Sequence, residues 1–245
     1  MIDIHSHVLF EIDDGAESLK ESLKLCLDSY RNGCDDLVLT PHFFEYDELS
    51  VFIQERDEKV EILRKALEER KIPLRIHAGA ELFLADDIFN AGNLDALTIN
   101  GSRYMLCEMS LMPFDTRFMM KWFDNLIDRG YIPVLAHPER YYEIHRDYSL
   151  LEDLLDRGVV FQVNIDSLIG LNGPEAQDLA IALVERGHAP IIASDAHDTE
   201  YRHTRIIEKL NELPDDITEE MVENCLIVNP QKILNNEDIK ITDIL

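Results

Sequence analysis

Short runs of branched apolar residues recur along the chain, at 2–4 (IDI), 37–39 (LVL), 74–76 (LRI), 104–106 (YML), 132–136 (IPVLA), 160–163 (VFQV) and 190–193 (PIIA). Their length and branched content predict seven buried strands. Between them lie amphipathic stretches that stop at Gly33, Gly130, Gly158 and Gly187, where glycine supplies the left-handed cap after a last helical turn. Ser18 with Glu21 three positions on is a capping-box pair, so the first helix is expected to start there. Strand and helix alternate, and repeated βα units require right-handed crossovers and a parallel sheet. Seven such units favour closure into a barrel over an open doubly wound sheet. The expected fold class is α/β, a TIM-like barrel in a single domain over residues 1–245, with a final helix and tail from about residue 217.

Composition narrows the partners. The 49 acidic against 23 basic residues give a formal charge of -26, which repels a phosphate backbone and argues against nonspecific nucleic-acid binding. The opening MIDIHSHVLF has neither the basic start nor the apolar core of a signal peptide, and no run approaches the roughly 20 apolar residues of a membrane span. A cytoplasmic location without membrane insertion is expected. Cys26, Cys34, Cys107 and Cys225 are scattered, which points to buried reduced thiols rather than disulfides or a thiolate zinc site.

The informative positions follow the strands, because barrel enzymes build their sites at the C-terminal strand ends. Strand 1 runs into His5 and His7, strand 2 into His42, strand 3 into Glu81, strand 4 into Glu108, strand 5 into His137, and strand 7 into Asp195 and His197; strand 6 offers only Asn164. One histidine at a strand end is usually structural, but five of the chain's nine histidines fall here. Glu81, Glu108 and Asp195 each interrupt an apolar run, where an unpaired charge is costly and a cation would be the natural partner. His5 and His7 share one face of an extended segment and can grip the same ion. His77, His145 and His188 have no such placement and read as structural or exposed, with His203 undecided. Imidazole and carboxylate without thiolate suit Mn, Fe or Zn, and nine candidates, counting Asp14 after strand 1, exceed what one ion needs. Two or three ions are implied, and hydrolysis of phosphate esters suits such a cluster.

At DIHSH (3–7), DDG (13–15), TPH (40–42), GAE (79–81), CEMS (107–110), AHPERY (136–141) and ASDAH (193–197), the chain resembles the PHP (polymerase and histidinol phosphatase) superfamily over nearly its whole length. IDDG and HPERY resemble more narrowly its bacterial capsule and exopolysaccharide tyrosine phosphatases. The resemblance implies a distorted (β/α)7 TIM-like barrel, Mn2+ as the usual activating metal, and a trinuclear site. His5, His7, Glu81 and Asp195 would hold one ion, with Glu81 bridging to a second held by Glu108 and His137; Asp14, His42 and His197 would hold the third. It also implies that Arg140 and Arg202 grip the phosphoryl group, as a guanidinium fork can. Against the arginine role, EYRHTR (200–205) also reads as the opening of an amphipathic helix, where an arginine is ordinary. His197-Asp198 departs from the His-Asn of the family, which bears on the geometry of the Arg202 loop.

The expected activity is that of a protein-tyrosine phosphatase, a phosphoric monoester hydrolase, attacking in line with hydroxide while metals and arginines neutralise the phosphoryl oxygens. The thiol route is excluded, since no cysteine is followed by arginine six positions later. The implied substrate is a phosphotyrosine-bearing protein, the tail of a bacterial tyrosine kinase that controls capsular or exopolysaccharide synthesis. The alternatives are a small-molecule phosphomonoesterase resembling the histidinol-phosphate enzymes, a nuclease, which the negative charge disfavours, and a metal-binding protein without turnover. Phe43, Phe44, Tyr46, Phe83, Phe114 and Tyr141 are candidates for an aromatic rim, or equally for core.

Overall fold

The computed structural model describes residues 1–44, 48–90 and 92–241. All seven expected regions carry strands, two of them broken in two: β1 (Ile2–Asp3), β2 (Asp36–Leu39) with β3 (His42–Phe43), β4 (Arg75–Ala78) with β5 (Glu81–Phe83), β6 (Tyr104–Glu108), β7 (Ile132–Ala136), β8 (Val160–Asn164) and β9 (Ile191–Ala193). Every pairing among the described strands is parallel, in the orders β1-β2-β4 and β3-β5-β6-β7-β8-β9. The breaks fall at Thr40–Pro41 and Gly79–Ala80, where the chain leaves one sheet and enters the other. Proline has no N–H to give a ladder, and that is where the second region changes partner. Backbone bonds also tie the chain beyond β1 to both sides: Thr40 N–H donates to Ser6 O (2.8 Å), His7 N–H to Ala196 O (2.8 Å) and Asp195 N–H to His5 O (3.0 Å).

The helices between them are α1 (Leu19–Arg31), α2 (Leu49–Glu69), α3 (Thr116–Asp128), α4 (Tyr142–Arg146), α5 (Ser149–Asp156), α6 (Ile165–Leu168), α7 (Pro174–Glu185), α8 (Ile206–Leu210), α9 (Glu219–Glu223) and α10 (Asn229–Leu234). Helix α1 starts as its capping pair predicts, with the Ser18 side chain accepting from Glu21 N–H; the Glu21 carboxylate reaches back one residue further, to Glu17 N–H. Gly33, Gly130, Gly158 and Gly187 all adopt positive φ just past α1, α3, α5 and α7. The final helix expected from about residue 217 is α9 and α10 joined through a π-helical turn at Asn224–Val228. EYRHTR does not open a helix, since α8 begins only at Ile206.

Alternation along the strands separates core from site. Ile4, Val38, Tyr104, Leu106, Val134, Ala136, Val160, Ile191 and Ala193 pack together from six strands or their immediate continuations, while Cys107, Leu135, Phe161 and Ile192 face the helices. Stepping by two along the first face leads from Leu106 to Glu108, from Val160 to Gln162 and Asn164, and from Ala193 to Asp195. Apolar core therefore gives way to polar side chains at one end of the strands. No described helix is long and apolar enough to cross a membrane.

Candidate metal centre

The nine expected ligands converge on that end of the strands, on a set of mostly buried imidazoles and carboxylates. Glu81 is at the centre. Its Oε2 lies 3.2 Å from His5 Nε2, 3.1 Å from His7 Nε2 and 3.2 Å from His42 Nδ1, and its Oε1 lies 3.3 Å from His137 Nε2. The β3–β5 register pairs His42 with Glu81 directly, and both residues open their short strands instead of ending the longer ones before them. Asp195 Oδ1 closes the group from the far side, 3.4 Å from His5 Nε2 and 3.6 Å from His7 Nε2. His42 also contacts Glu108 (2.9 Å) and, with His197, Asp14 Oδ1 (both 3.4 Å).

Three overlapping groups have ligand atoms close enough to share an ion: His5, His7 and Glu81; His42, Glu81 and Glu108; and His7, Asp14, His42 and His197. The grouping differs from the expected one at three points, the first being that Asp195 stands beside the His5, His7 and Glu81 group, 3.4 Å from His5, and not within it. His42 joins Glu81 and Glu108, where His137 was expected; His137 stays near, its Nε2 4.0 Å from Glu108. His7 also stands with Asp14, His42 and His197, its ring stacked 3.9 Å from that of His197.

The donor chemistry fits cations. Both Glu81 oxygens are buried and accept no directed hydrogen bond despite the four imidazoles around them. His5 Nε2 and His7 Nε2 face each other at 3.2 Å, an arrangement of converging nitrogens that a shared positive ion relieves. Burial opposes charge on His5, yet Glu81 and Asp195 overcome it and hold its pKa up to about 9. His42 is likewise pushed up to about 11, against its burial, by Asp14, Glu108 and Glu81. The carboxylates respond in the opposite sense: burial would raise Glu81 and Asp195, but His5 chiefly, with Arg202 at Asp195, holds both well below the usual range.

Sequence reasoning missed the residues that aim the ligands. Asp13 Oδ2 lies 2.7 Å from His7 Nδ1 and accepts from His42 N–H, while its Oδ1 accepts from Gly15 N–H. Gly15 is required by close approach: a Cβ there would stand 2.0 Å from the His7 carbonyl oxygen. Gln162 Oε1 lies 2.7 Å from His5 Nδ1, and Asn164 Nδ2 donates to Asp195 Oδ2 (2.8 Å). Buried Glu139 accepts from Asn164 N–H (3.0 Å) and the Ser167 hydroxyl (2.6 Å), anchoring the HPERY turn to the end of β8. The only signals were the position of Asp13 beside Asp14 and the two-residue spacing of Gln162 and Asn164.

Both expected arginines reach Asp195 Oδ2, Arg202 Nη2 at 2.7 Å and Arg140 Nη1 at 3.3 Å. The Asp198 that departs from the family pattern organises the Arg202 loop: its Oδ1 accepts from Glu200 and Tyr201 N–H and its Oδ2 from Arg202 N–H. Two of the candidate ligands sit in left-handed backbone, His137 at φ 38° and Asp195 at φ 51°. Such conformations cost non-glycine residues of order 1–3 kcal/mol and persist only where the surroundings enforce them.

Of the remaining histidines, His77 pairs with Asp36 Oδ1 (2.8 Å), His145 bonds the Glu139 carbonyl (2.7 Å) and His203 Nδ1 accepts from Arg205 N–H. The aromatic rim is smaller than expected, because Phe43 and Tyr141 are fully buried core. Phe44 and Phe83 do stand together, ring centroids 5.4 Å apart, and Phe44 is 5.4 Å from His42. A cavity of about 550 Å³ opens beside them, lined by Asp14, His42, Phe44, Val51 and Phe52. Phe114 lines a separate cavity with Arg146, and Tyr46 lies outside the described residues.

A family model described as capsular polysaccharide synthesis, CpsB/CapC, matches residues 1–235. The chain is 32% identical over 242 to 244 residues to proteins that include the tyrosine-protein phosphatase YwqE of Bacillus subtilis, covering 98% of this chain and 93% of that one. It is 29% identical to the tyrosine-protein phosphatase CpsB of Streptococcus agalactiae serotype III, over 98% of this chain and all of the relative. Among solved structures it matches, with a TM-score of 0.85, 30% identity and coverage of 99% and 97% of the two chains, one from the crystal structures of YwqE from Bacillus subtilis and CpsB from Streptococcus pneumoniae, metal-dependent tyrosine phosphatases.

Proposed function

The chain belongs to the CpsB/CapC family of capsular polysaccharide synthesis, and from that premise we propose that it is a metal-dependent protein-tyrosine phosphatase acting on phosphotyrosine in a protein substrate. The observation that carries the reading is the two-sided use of Asp195. Its Oδ1 faces the imidazoles of His5 and His7, and its Oδ2 holds Arg140 and Arg202, so groups suited to cations and groups suited to phosphoryl oxygens meet on one carboxylate.

In this reading His5, His7, Asp14, His42, Glu81, Glu108, His137, Asp195 and His197 hold two or three cations, Mn2+ by preference. Bound there, the ions supply Lewis acidity and a water acidified to near neutrality. The chain's own residues do the rest. Arg140 and Arg202 exchange Asp195 for the phosphoryl oxygens and offset the charge that grows on them during transfer. Phe44 lines the cavity beside His42, with the Phe83 ring packed 5.4 Å from its own, and offers an aromatic wall to the tyrosyl ring. All four cysteines are buried, in keeping with a reaction that forms no thiophosphate. The substrate read from this family is the tail of a tyrosine kinase serving polysaccharide export, met in the cytoplasm. We read the two sheets as one closed (β/α)7 barrel over the whole chain, supported by the Ser6–Ala196 bridge and the bonds around it.

The test compares metal-loaded protein on a phosphotyrosine peptide, a phosphoserine peptide and histidinol phosphate. Preference for the phosphotyrosine peptide by about tenfold or more in kcat/KM is expected for a site shaped to an aromatic ring. Equal or better turnover of histidinol phosphate would make the protein a small-molecule phosphatase instead.

A further inference from the structure

Strand β8 is the one strand region whose end carries no expected ligand, yet its polar pair is buried and spans the site. Gln162 and Asn164, two residues apart on one face, are bonded to each other, Gln162 Nε2 donating to Asn164 Oδ1 at 2.9 Å. Asn164 Nδ2 then donates to Asp195 Oδ2 (2.8 Å), and Gln162 Oε1 faces His5 Nδ1 (2.7 Å). His5 Nε2 in turn lies 3.4 Å from Asp195 Oδ1, so the four residues form a closed ring of contacts.

The direction of every bond in this ring follows from one member. Asp195, holding two guanidiniums on Oδ2, is an ionised carboxylate and can only accept. Asn164 must therefore turn its NH2 to Asp195 and its oxygen to Gln162. Gln162 must answer with its own NH2, which leaves its oxygen for His5, and His5 Nδ1 must carry a proton. In neutral imidazole that puts the lone pair on Nε2, the nitrogen that faces His7 and Glu81.

We propose that Gln162 and Asn164 are positioning residues, an amide relay that transmits the polarity of Asp195 to His5 and so fixes the His5 tautomer that presents Nε2 to a bound cation. The inference rests on the proposed ligand role of His5 and Asp195, but not on the phosphatase activity. The relay uses neutral groups, which orient two ligands without adding charge to the centre. Glu139 holds the Asn164 backbone in place from behind.

The experiment reads metal binding and the His5 proton directly. In the Zn2+-loaded, diamagnetic protein, 15N NMR of the wild type should show His5 protonated at Nδ1. Gln162→Met removes the acceptor at similar size and should weaken binding of Mn2+, measured by competition with a chelator, by about 10- to 100-fold, as loss of such an outer partner commonly does. Gln162→Glu keeps an acceptor for Nδ1–H and should retain the His5 signal while losing the orientation of Asn164, with Mn2+ affinity between the two. Melting of the cation-free proteins reports folding. His5 protonated at Nε2 in the wild type overturns the relay, whether or not the variants fold, and so does a folded Gln162→Met that binds Mn2+ like the wild type. Intact relay behaviour in a protein inert toward phosphotyrosine would leave this inference standing and remove the proposed function instead.

Discussion

Arg202 Nη2 stands 2.7 Å from Asp195 Oδ2, and Arg140 Nη1 reaches the same oxygen at 3.3 Å. A carboxylate thus occupies the place between the arginines that a phosphoryl oxygen is proposed to take. Arg140→Ala should lower kcat/KM by about 10²- to 10³-fold while sparing the metal content, and Arg140→Lys should recover part of the loss, because an ammonium keeps the charge without the fork. Since both arginines serve one acceptor, the Arg140→Ala, Arg202→Ala double variant should fall short of the product of the single effects. Steady-state kinetics with elemental analysis check this; near wild-type turnover of Arg140→Ala removes the assigned role.

Chelation should abolish turnover, and Mn2+ should restore it best. Three overlapping ligand groups predict two or three transition ions per chain in the replete, active protein. Elemental analysis that finds one ion or fewer in fully active protein contradicts the shared-ligand centre.

Thiol alkylation should leave turnover unchanged under conditions that preserve the fold. Cys26, Cys34, Cys107 and Cys225 are all buried; burial pushes the Cys107 thiol well above its ordinary range and Cys34 up to about 12. Thiolate is the reactive form, so none is poised for attack near neutrality. Inactivation that tracks modification of a single cysteine would point to a thiol nucleophile.

Away from the centre, Asp36 links β2 to β4 by accepting from Arg75 (Nε at 2.7 Å) and contacting His77 Nε2 at 2.8 Å. Burial alone would raise its pKa, but these partners hold it below the usual carboxylate value. A depressed carboxylate contributes stability that is present above its unfolded pKa of about 3.9 and is lost as pH falls through the folded value. Asp36→Asn should therefore cost about 1 kcal/mol at pH 7, the modest figure reflecting the exposure of Arg75, and progressively less below about pH 4. Urea unfolding of both proteins across that range measures it; a gap that does not shrink as the pH falls below the unfolded value would assign the loss to packing.

The strands were legible because branched apolar runs mark burial, and IPVLA coincides with β7. The breaks at Pro41 and Ala80 were not, since an apolar run carries no sign of which neighbour receives its backbone bonds. Chemistry was legible where a histidine or carboxylate stood at a strand end. Gln162 and Glu139 escaped, and Asn164 stood out only as the polar end of strand 6 without a role, for the converse reason: amides on a strand look like ordinary polar residues, and Glu139 looks like a surface charge in a turn until its burial against Ser167 is seen. The Arg202 loop misled through its composition, because helix-forming side chains follow Asp198, whose carboxylate holds three successive N–H groups in a turn.

The left-handed backbone of His137 and Asp195 sets fold and chemistry against each other at two single positions. A glycine at 137 would relax the chain and relieve imidazole crowding near Glu81, yet it would delete a candidate ligand. Drift toward a sturdier protein is therefore open at the residues where it does most harm, a local form of the stability–activity trade-off. Selection for thermal tolerance alone, applied to a library randomised at 137 and 195, would be expected to return variants that fold better than their parent and have lost turnover.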